Sequence, residues 1–274
     1  MSYLSNQNPM FRSKFSEDIF QQKYAHEGCE TWFDLATVIV QDVVRSNLSD
    51  IDKGRLVQYI RDLKFIPGGR YLYYAGRKNK FFNNCFLLKS EEDNREDWAE
   101  LSKKVELCLS TGGGIGNDYS IYRPSGSVLH GTGGVASGPL PKMQMVNEQG
   151  RGLMQGGSRR SAIYASLNWK HDDIVPFIHM KDWYGMPVGN TGMSIGEIKE
   201  QDFNFPAPMD YTNISVNYDT EWVENYWENG DVGEVFKRNV RQALSTGEPG
   251  FSFNFWDKEK ETLRNACTEV TSED

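Results

Sequence analysis

Apolar residues recur every three to four positions along the first part of the chain, the spacing of amphipathic helices. Trp32, Leu35, Ile39 and Val43 share one face of a segment that closes near Asn47. Ser49, with Asp52 three positions on, predicts the N-cap of a second helix carrying Leu56, Ile60 and Leu63 and stopped by Pro67-Gly68-Gly69. The aromatic-rich stretch from Arg70 to Leu88 reads as extended, with Cys85 near its end. Trp98, Leu101, Val105 and Cys108 then mark a further helix that ends at Gly112.

Beyond Gly112 the pattern changes. Glycines gather in three groups, at Gly112 to Gly116, at Gly131 to Gly138 and at Gly150 to Gly157, a density that means flexible loop or close backbone approach. Leu140 to Gln149 predicts a helix between the last two groups. Ile163 to Leu167 and Ile214 to Tyr218 read as strands, and so does the alternation of Phe251, Phe253 and Phe255. Asp172 or Asp173 caps a helix with Pro176 in its first turn, and Glu234 to Ser245 is a helix closed by Gly247. Gly185 to Pro208 has little periodicity and reads as a long surface connection. Helices and strands interleaving after an all-helical start predict an α/β body with a helical N-terminal region.

Composition narrows the function classes. The 274 residues carry 30 Lys+Arg against 38 Asp+Glu, a net charge of −8, and only 38% are hydrophobic. An acidic chain is a poor partner for a nucleic-acid polymer. No apolar run approaches the roughly 18 residues of a membrane span, and the first fifteen residues lack a signal-peptide core. Cys29, Cys85, Cys108 and Cys267 are too few and too scattered for a disulfide scaffold or a structural zinc site, so a cytoplasmic protein with reduced thiols is expected. His171 and His179 stand too far apart to share a metal and read as surface histidines.

The candidate chemistry lies in two places. Gln155-Gly156-Gly157-Ser158-Arg159-Arg160-Ser161 sets backbone amides beside two guanidiniums, suited to phosphates or a base edge, although a solvated basic loop has the same composition. Asn265-Ala266-Cys267-Thr268-Glu269 places an amide, a thiol and a carboxylate at alternate positions. If the segment is extended, all three point to one face. A buried cysteine in a strand is the plainer reading of that spacing.

Taken together, Asn84-Cys85-Phe86, Thr111 to Ser120, Gly131 to Pro139, Gln155 to Ala162 and Asn265 to Glu269 resemble the catalytic chain of ribonucleotide reductase, most closely the adenosylcobalamin-dependent (class II) enzymes. The resemblance implies a helical N-terminal region over residues 1–66. It implies, over 67–274, the first half of the ten-stranded α/β barrel of that family.

It also implies roles. Cys267 would be the thiyl radical that takes hydrogen from C3′ of a ribonucleoside di- or triphosphate. Glu269 would accept the 3′-hydroxyl proton, Asn265 would hold the sugar, and Cys85 would be one member of the reducing dithiol. An ordinary thiol pKa of ~8.5 leaves Cys267 protonated at neutral pH, as a hydrogen donor requires. Asn84, Gly113, Gly114, Gln155 and Arg159 would contact the substrate, with Gly112 to Gly116 a loop of close approach. Asp93, Arg123 and His130 would bind a deoxynucleotide effector.

The motif departs from the family's Asn-Pro-Cys-Gly-Glu at Ala266 and Thr268. Seven residues follow Cys267, so the second redox cysteine and the remaining barrel strands are expected on a C-terminal half outside this sequence. The short span from Cys85 to Cys267 leaves no room for a large insertion and points to a homodimer, with Asn94 to Leu109 at its interface. A thioredoxin- or glutaredoxin-like reductant and a cytoplasmic setting, that of the host if phage-encoded, complete the expectation. The alternatives are a class I large subunit served by a separate metal-radical subunit, and a non-catalytic nucleotide-binding remnant.

Overall fold

The computed structural model describes residues 11, 13–44, 47–131, 133–153, 161–268, 271 and 272. The chain divides into two compact units, Met1–Asn84 and Cys85–Asp274. None of the described helices is long and apolar enough to cross a membrane.

The first unit holds α1 (Lys14–Lys23), α2 (Trp32–Asp42), α3 (Asp50–Arg61) and α4 (Gly69–Tyr74). Thr31 and Asp34 close a capping box on α2, and Ser49 accepts the Asp52 amide at the head of α3. Such caps contribute roughly 1 kcal/mol each. Phe20, Trp32, Leu35, Ile39, Ile60 and Leu72 form the core, and the Trp32 indole donates to the Ile60 carbonyl at 3.0 Å. Helix α4 corrects the expectation of an extended segment from Arg70. Helix α3 already ends at Arg61, with Leu63 outside it at φ 55, so Pro67-Gly68-Gly69 is not its stop but the start of α4, where burial of Arg70 and Leu72 outweighs the aromatic β-propensity.

The second unit is built on five parallel strands in sequential order: β1 (Cys85–Leu88), β2 (Gly114–Asp118), β3 (Ile163–Asn168), β4 (Thr212–Tyr218) and β5 (Gly250–Phe253). The crossovers contain α5 (Arg95–Ser110), α6 (Leu140–Gly152), α7 (Ile174–His179) with α8 (Ile195–Gln201), and α9 (Thr220–Asn229) with α10 (Gly233–Thr246). This is the α/β half-barrel that the resemblance implies. Two helices of this unit were not legible as periodicity. Helix α8 lies in the supposed surface connection, where Ser194 and Glu197 form a capping box, and α9 starts at an Asp219 N-cap and stops at a left-handed Gly230.

Register sorts the side chains into two faces. Ile115, Ile163, Ala165, Leu167, Ile214, Val216 and Tyr218 pack under the helices with Leu101, Val105, Val146, Phe177 and Trp222. Each of the larger of these contributes about 1.5–3 kcal/mol by burial. The alternate rows read Cys85–Gly114, Leu87–Gly116–Tyr164–Asn213, Asp118–Ser166–Ser215–Gly250 and Asn168–Asn217–Ser252. That second face is small and polar, which a fully helix-covered parallel sheet would not tolerate.

Arg151, in the last turn of α6, donates to both carboxylate oxygens of the buried Asp210. Burial pushes the Asp210 carboxyl up, but the bonds from Arg151 and Asn147 outweigh it and hold the group below its usual value. The end of α6, just before residues 154–160, is thereby tied to the segment entering β4.

Candidate active site

The polar face of the sheet carries a short antiparallel hairpin, β6 (Leu263–Arg264) with β7 (Thr271–Ser272), and β6 lies against β1 and β2. Glycine makes this approach possible. A Cβ on Gly116 would fall inside the carbonyl oxygen of Arg264 and within 3.2 Å of the Asn265 carbonyl carbon. One on Gly114 would lie 2.9 Å from the Ala266 Cβ, and one on Gly113 would collide with the Phe86 ring. The expected glycine loop is therefore, from Gly114 on, a strand, and its bare backbone is occupied by the chain's own hairpin.

The residues after β6 are not extended. The Thr268 amide donates to the Asn265 carbonyl at 3.0 Å, closing a turn, and Thr268 has φ 64. This corrects the expectation that Asn265 and Cys267 share a face through period-two alternation. Asn265 is buried, 1% exposed, whereas Cys267 is exposed. The turn projects the thiol outward and turns the carboxamide in. Ala266, between them, sits over Gly114, the lateral partner of the half-buried Cys85. Cys85 and the turn thus meet at one corner of the polar face. The partly buried Cys108 lies among the helix-facing core residues, and burial pushes its thiol up.

A β-branched residue at positive φ is strained by roughly 1–2 kcal/mol. Thr268→Gly should therefore stabilise the second unit by about 1 kcal/mol, after the offset from a more flexible unfolded chain. Thr268→Val should give no gain, because it keeps the branch. Urea unfolding of the three proteins side by side checks this, and equal midpoints for threonine and glycine would disprove the strain.

Deeper on the same face, Asn217 donates to Asp118 at 3.1 Å and to Ser166 at 3.0 Å, and the Tyr164 and Ser252 hydroxyls share a 2.8 Å bond. Burial pushes the Tyr164 phenol up. Arg264 reaches into this network and donates to Asn254 at 2.6 Å. None of these polar residues stands out in the sequence. The signal it carries for them is the small or polar residue at every second position of β2 to β5.

The other candidates are placed as follows. Asn84 ends the helical unit, where its carboxamide oxygen accepts from the buried Arg70 at 2.8 Å. Asp93 and Arg123 are brought together as an ion pair, with Arg123 also donating to the Asp93 carbonyl at 3.0 Å. Lys142, missed in the sequence, lies beside that pair with its amine 4.9 Å from the ring centres of both Trp98 and Tyr122, and burial lowers its pKa. His130 is exposed. The two remaining histidines of note are half-buried rather than superficial. His171 bonds the Tyr122 carbonyl and the Asp173 amide, and His179 bonds Gln242. Glu269, Gln155 and Arg159 lie outside the described residues.

Residues 83–203 match the ribonucleotide reductase barrel domain. The chain is 32% identical over 199 residues to the vitamin B12-dependent ribonucleoside-diphosphate reductase of Thermoplasma acidophilum, covering 73% of this chain and 25% of that protein. It is 34% identical over 111 residues to the ribonucleoside-diphosphate reductase large subunit of Vaccinia virus, covering 40% and 14% respectively. The chain thus spans a quarter or less of these relatives. The fold is similar to the Actinobacillus ureae class Id ribonucleotide reductase alpha subunit, with a TM-score of 0.68 at 14% identity over 95% of this chain and 46% of that one. Residues 83–203 therefore belong to the ribonucleotide reductase family as its barrel domain, and the half-barrel topology agrees with the fold of the solved neighbour.

Proposed function

We propose that this chain supplies the radical thiol and one half of the barrel for the reduction of ribonucleotides to deoxyribonucleotides. The observation that supports it most is the turn at Asn265 to Thr268, seated on Gly114 and Gly116 with Cys267 exposed and Cys85 on the adjacent strand. Hydroxide is a poor leaving group from an unactivated carbon, so the 2′-oxygen leaves only after the sugar is activated. The Cys267 thiyl takes the C3′ hydrogen atom, becoming a thiol and leaving the unpaired electron on C3′. Glu269 accepts the 3′-hydroxyl proton while the 2′-hydroxyl takes a proton from the dithiol and departs as water. Cys85 and a second thiol close to a disulfide by giving a hydrogen atom to C2′ and an electron to the C3′ carbonyl. Glu269 returns its proton to the 3′-oxygen, and the hydrogen returned to C3′ from Cys267 regenerates the thiyl. The Asn265 carboxamide orients the sugar, where misplacement is costly.

Relatives named as ribonucleoside-diphosphate reductases favour a diphosphate substrate. Asp93, Arg123 and His130 are assigned to the deoxynucleotide effector, Asn84, Gly113, Gln155 and Arg159 to the substrate. A second copy, a complementary barrel half and a dithiol protein are the proposed partners.

The vitamin B12-dependent relatives favour adenosylcobalamin, which would generate the radical at the thiol. The corrin carries its own cobalt, so it calls for no cluster of protein metal ligands, and around Cys267 the described residues offer a turn and glycine-bearing strands. No residue of this chain is assigned to holding the cofactor.

The test combines the chain with a polypeptide supplying the remaining strands, a ribonucleoside diphosphate, a dithiol and adenosylcobalamin. Deoxyribonucleotide is the expected product. Formation only with a metal-containing radical subunit would assign the chain to class I. Nucleotide binding without product under either condition would make it a non-catalytic remnant.

A further inference from the structure

Arg264 lies just before the Asn265–Glu269 motif and has no role in the reaction described above. Its backbone and its side chain are nevertheless both committed. The backbone carbonyl fills the space that a side chain on Gly116 would take. The guanidinium runs into the polar face of the sheet, donating through Nη2 to Asn254 Oδ1 at 2.6 Å. Asn254 is itself 2% exposed and pinned by its amide to the Tyr218 carbonyl at 2.9 Å.

Burying a guanidinium is expensive unless it is well bonded. Here the Arg264 Nε and the Asn254 Nδ2 are buried with no hydrogen-bond partner among the described residues, and no carboxylate lies within ion-pair distance of Arg264 among them. An arginine placed so is a poor stabiliser, which leaves orientation as its use. The hairpin needs such a device. Two residues per strand are too few to hold a fixed geometry alone. The glycine groove is a steric seat that sets how deep the hairpin sinks. The Arg264–Asn254 bond is directional, and it acts one residue from Asn265.

We infer that Arg264 is a positioning residue for the Asn265–Cys267 turn, with Asn254 as its receptor. The glycines of β2 set the depth of the hairpin, and the guanidinium sets its rotation. That the turn so held serves radical chemistry rests on the proposed function; that Arg264 holds it does not.

Hydrogen exchange resolved by peptide, together with iodoacetamide labelling of Cys267 relative to Cys108, tests this in the full chain. Arg264→Met keeps the stem and removes the bond. It should speed exchange over 262–268 by about tenfold or more, as loss of a charge-assisted bond implies, and change the Cys267 labelling rate while β2 to β4 exchange as before. Asn254→Leu should do the same, and the double variant should add nothing, since both break one bond. Arg264→Lys should recover part of the protection, because it keeps the charge and one donor. Unchanged exchange in Arg264→Met, additive effects in the double variant, or faster exchange spread across the whole sheet would each overturn the assignment. None of these measurements uses turnover, so they separate this role from the reductase reading. In the completed enzyme the same variant should lower kcat with little change in KM.

Discussion

Gly116→Ala should drive the hairpin off the sheet. The added methyl would enter the carbonyl of Arg264, a backbone atom that cannot swing away as a flexible side chain would. Overpacking of this kind costs roughly 1–3 kcal/mol even where side chains can adjust, and more where they cannot. Something must yield, and the sheet is the stronger party. Strand β2 is paired on both sides, whereas β6 pairs over two residues. Five strands should therefore persist by circular dichroism, while Leu263 and Arg264 lose amide protection. In a reconstituted reductase, displacement of Cys267, the proposed radical thiol, by about 1 Å should cost on the order of 100-fold in kcat. Gly54→Ala is the control, because a methyl there meets nothing within 4 Å and the residue lies inside α3. It should stabilise the helical unit by about 0.5–1 kcal/mol. A Gly116→Ala protein with native protection at Leu263 would show that the groove is not needed.

Cys267→Ser should abolish turnover in the reconstituted enzyme while leaving the fold and nucleotide binding intact. The O–H bond is much stronger than S–H, so a serine hydroxyl neither becomes a radical readily nor exchanges hydrogen with the sugar. Each 1.36 kcal/mol added to the barrier is about a tenfold loss in rate, and the difference between these bonds spans many such factors. The side chain is exposed on its turn, so the near-isosteric substitution changes little burial. Substrate affinity and unfolding midpoint should match the parent, the separation of chemistry from binding that kinetic comparison reads. Turnover within about tenfold of the parent would remove Cys267 from the mechanism.

Much of this protein is legible in its residue pattern. The helices with clear apolar stripes, α2, α3, α5 and α6, are where Leu35, Ile60, Val105 and Val146 place them, and α10 is where Glu234 to Ser245 and the closing Gly247 place it. Strands β3 and β4 and the α/β body also follow from local pattern, and the half-barrel follows from the family resemblance. Short elements escape such a reading where capping, rather than periodicity, carries the signal, as at Ser194 and Glu197 in α8.

The local sequence determined which segments bury an apolar face, because side-chain spacing alone decides whether a helix or strand has one. It did not determine what the glycines of β2 are for. Gly114 and Gly116 read as room for a substrate, and only the fold shows that Arg264 and Ala266 fill that room. Nor did it reveal that Asn265 and Cys267 part company at a turn, one buried and the other exposed, or that Arg264 finds Asn254. Those facts depend on atoms far apart in the chain excluding or bonding one another. No local propensity encodes such a meeting; it exists once the sheet and hairpin are packed together.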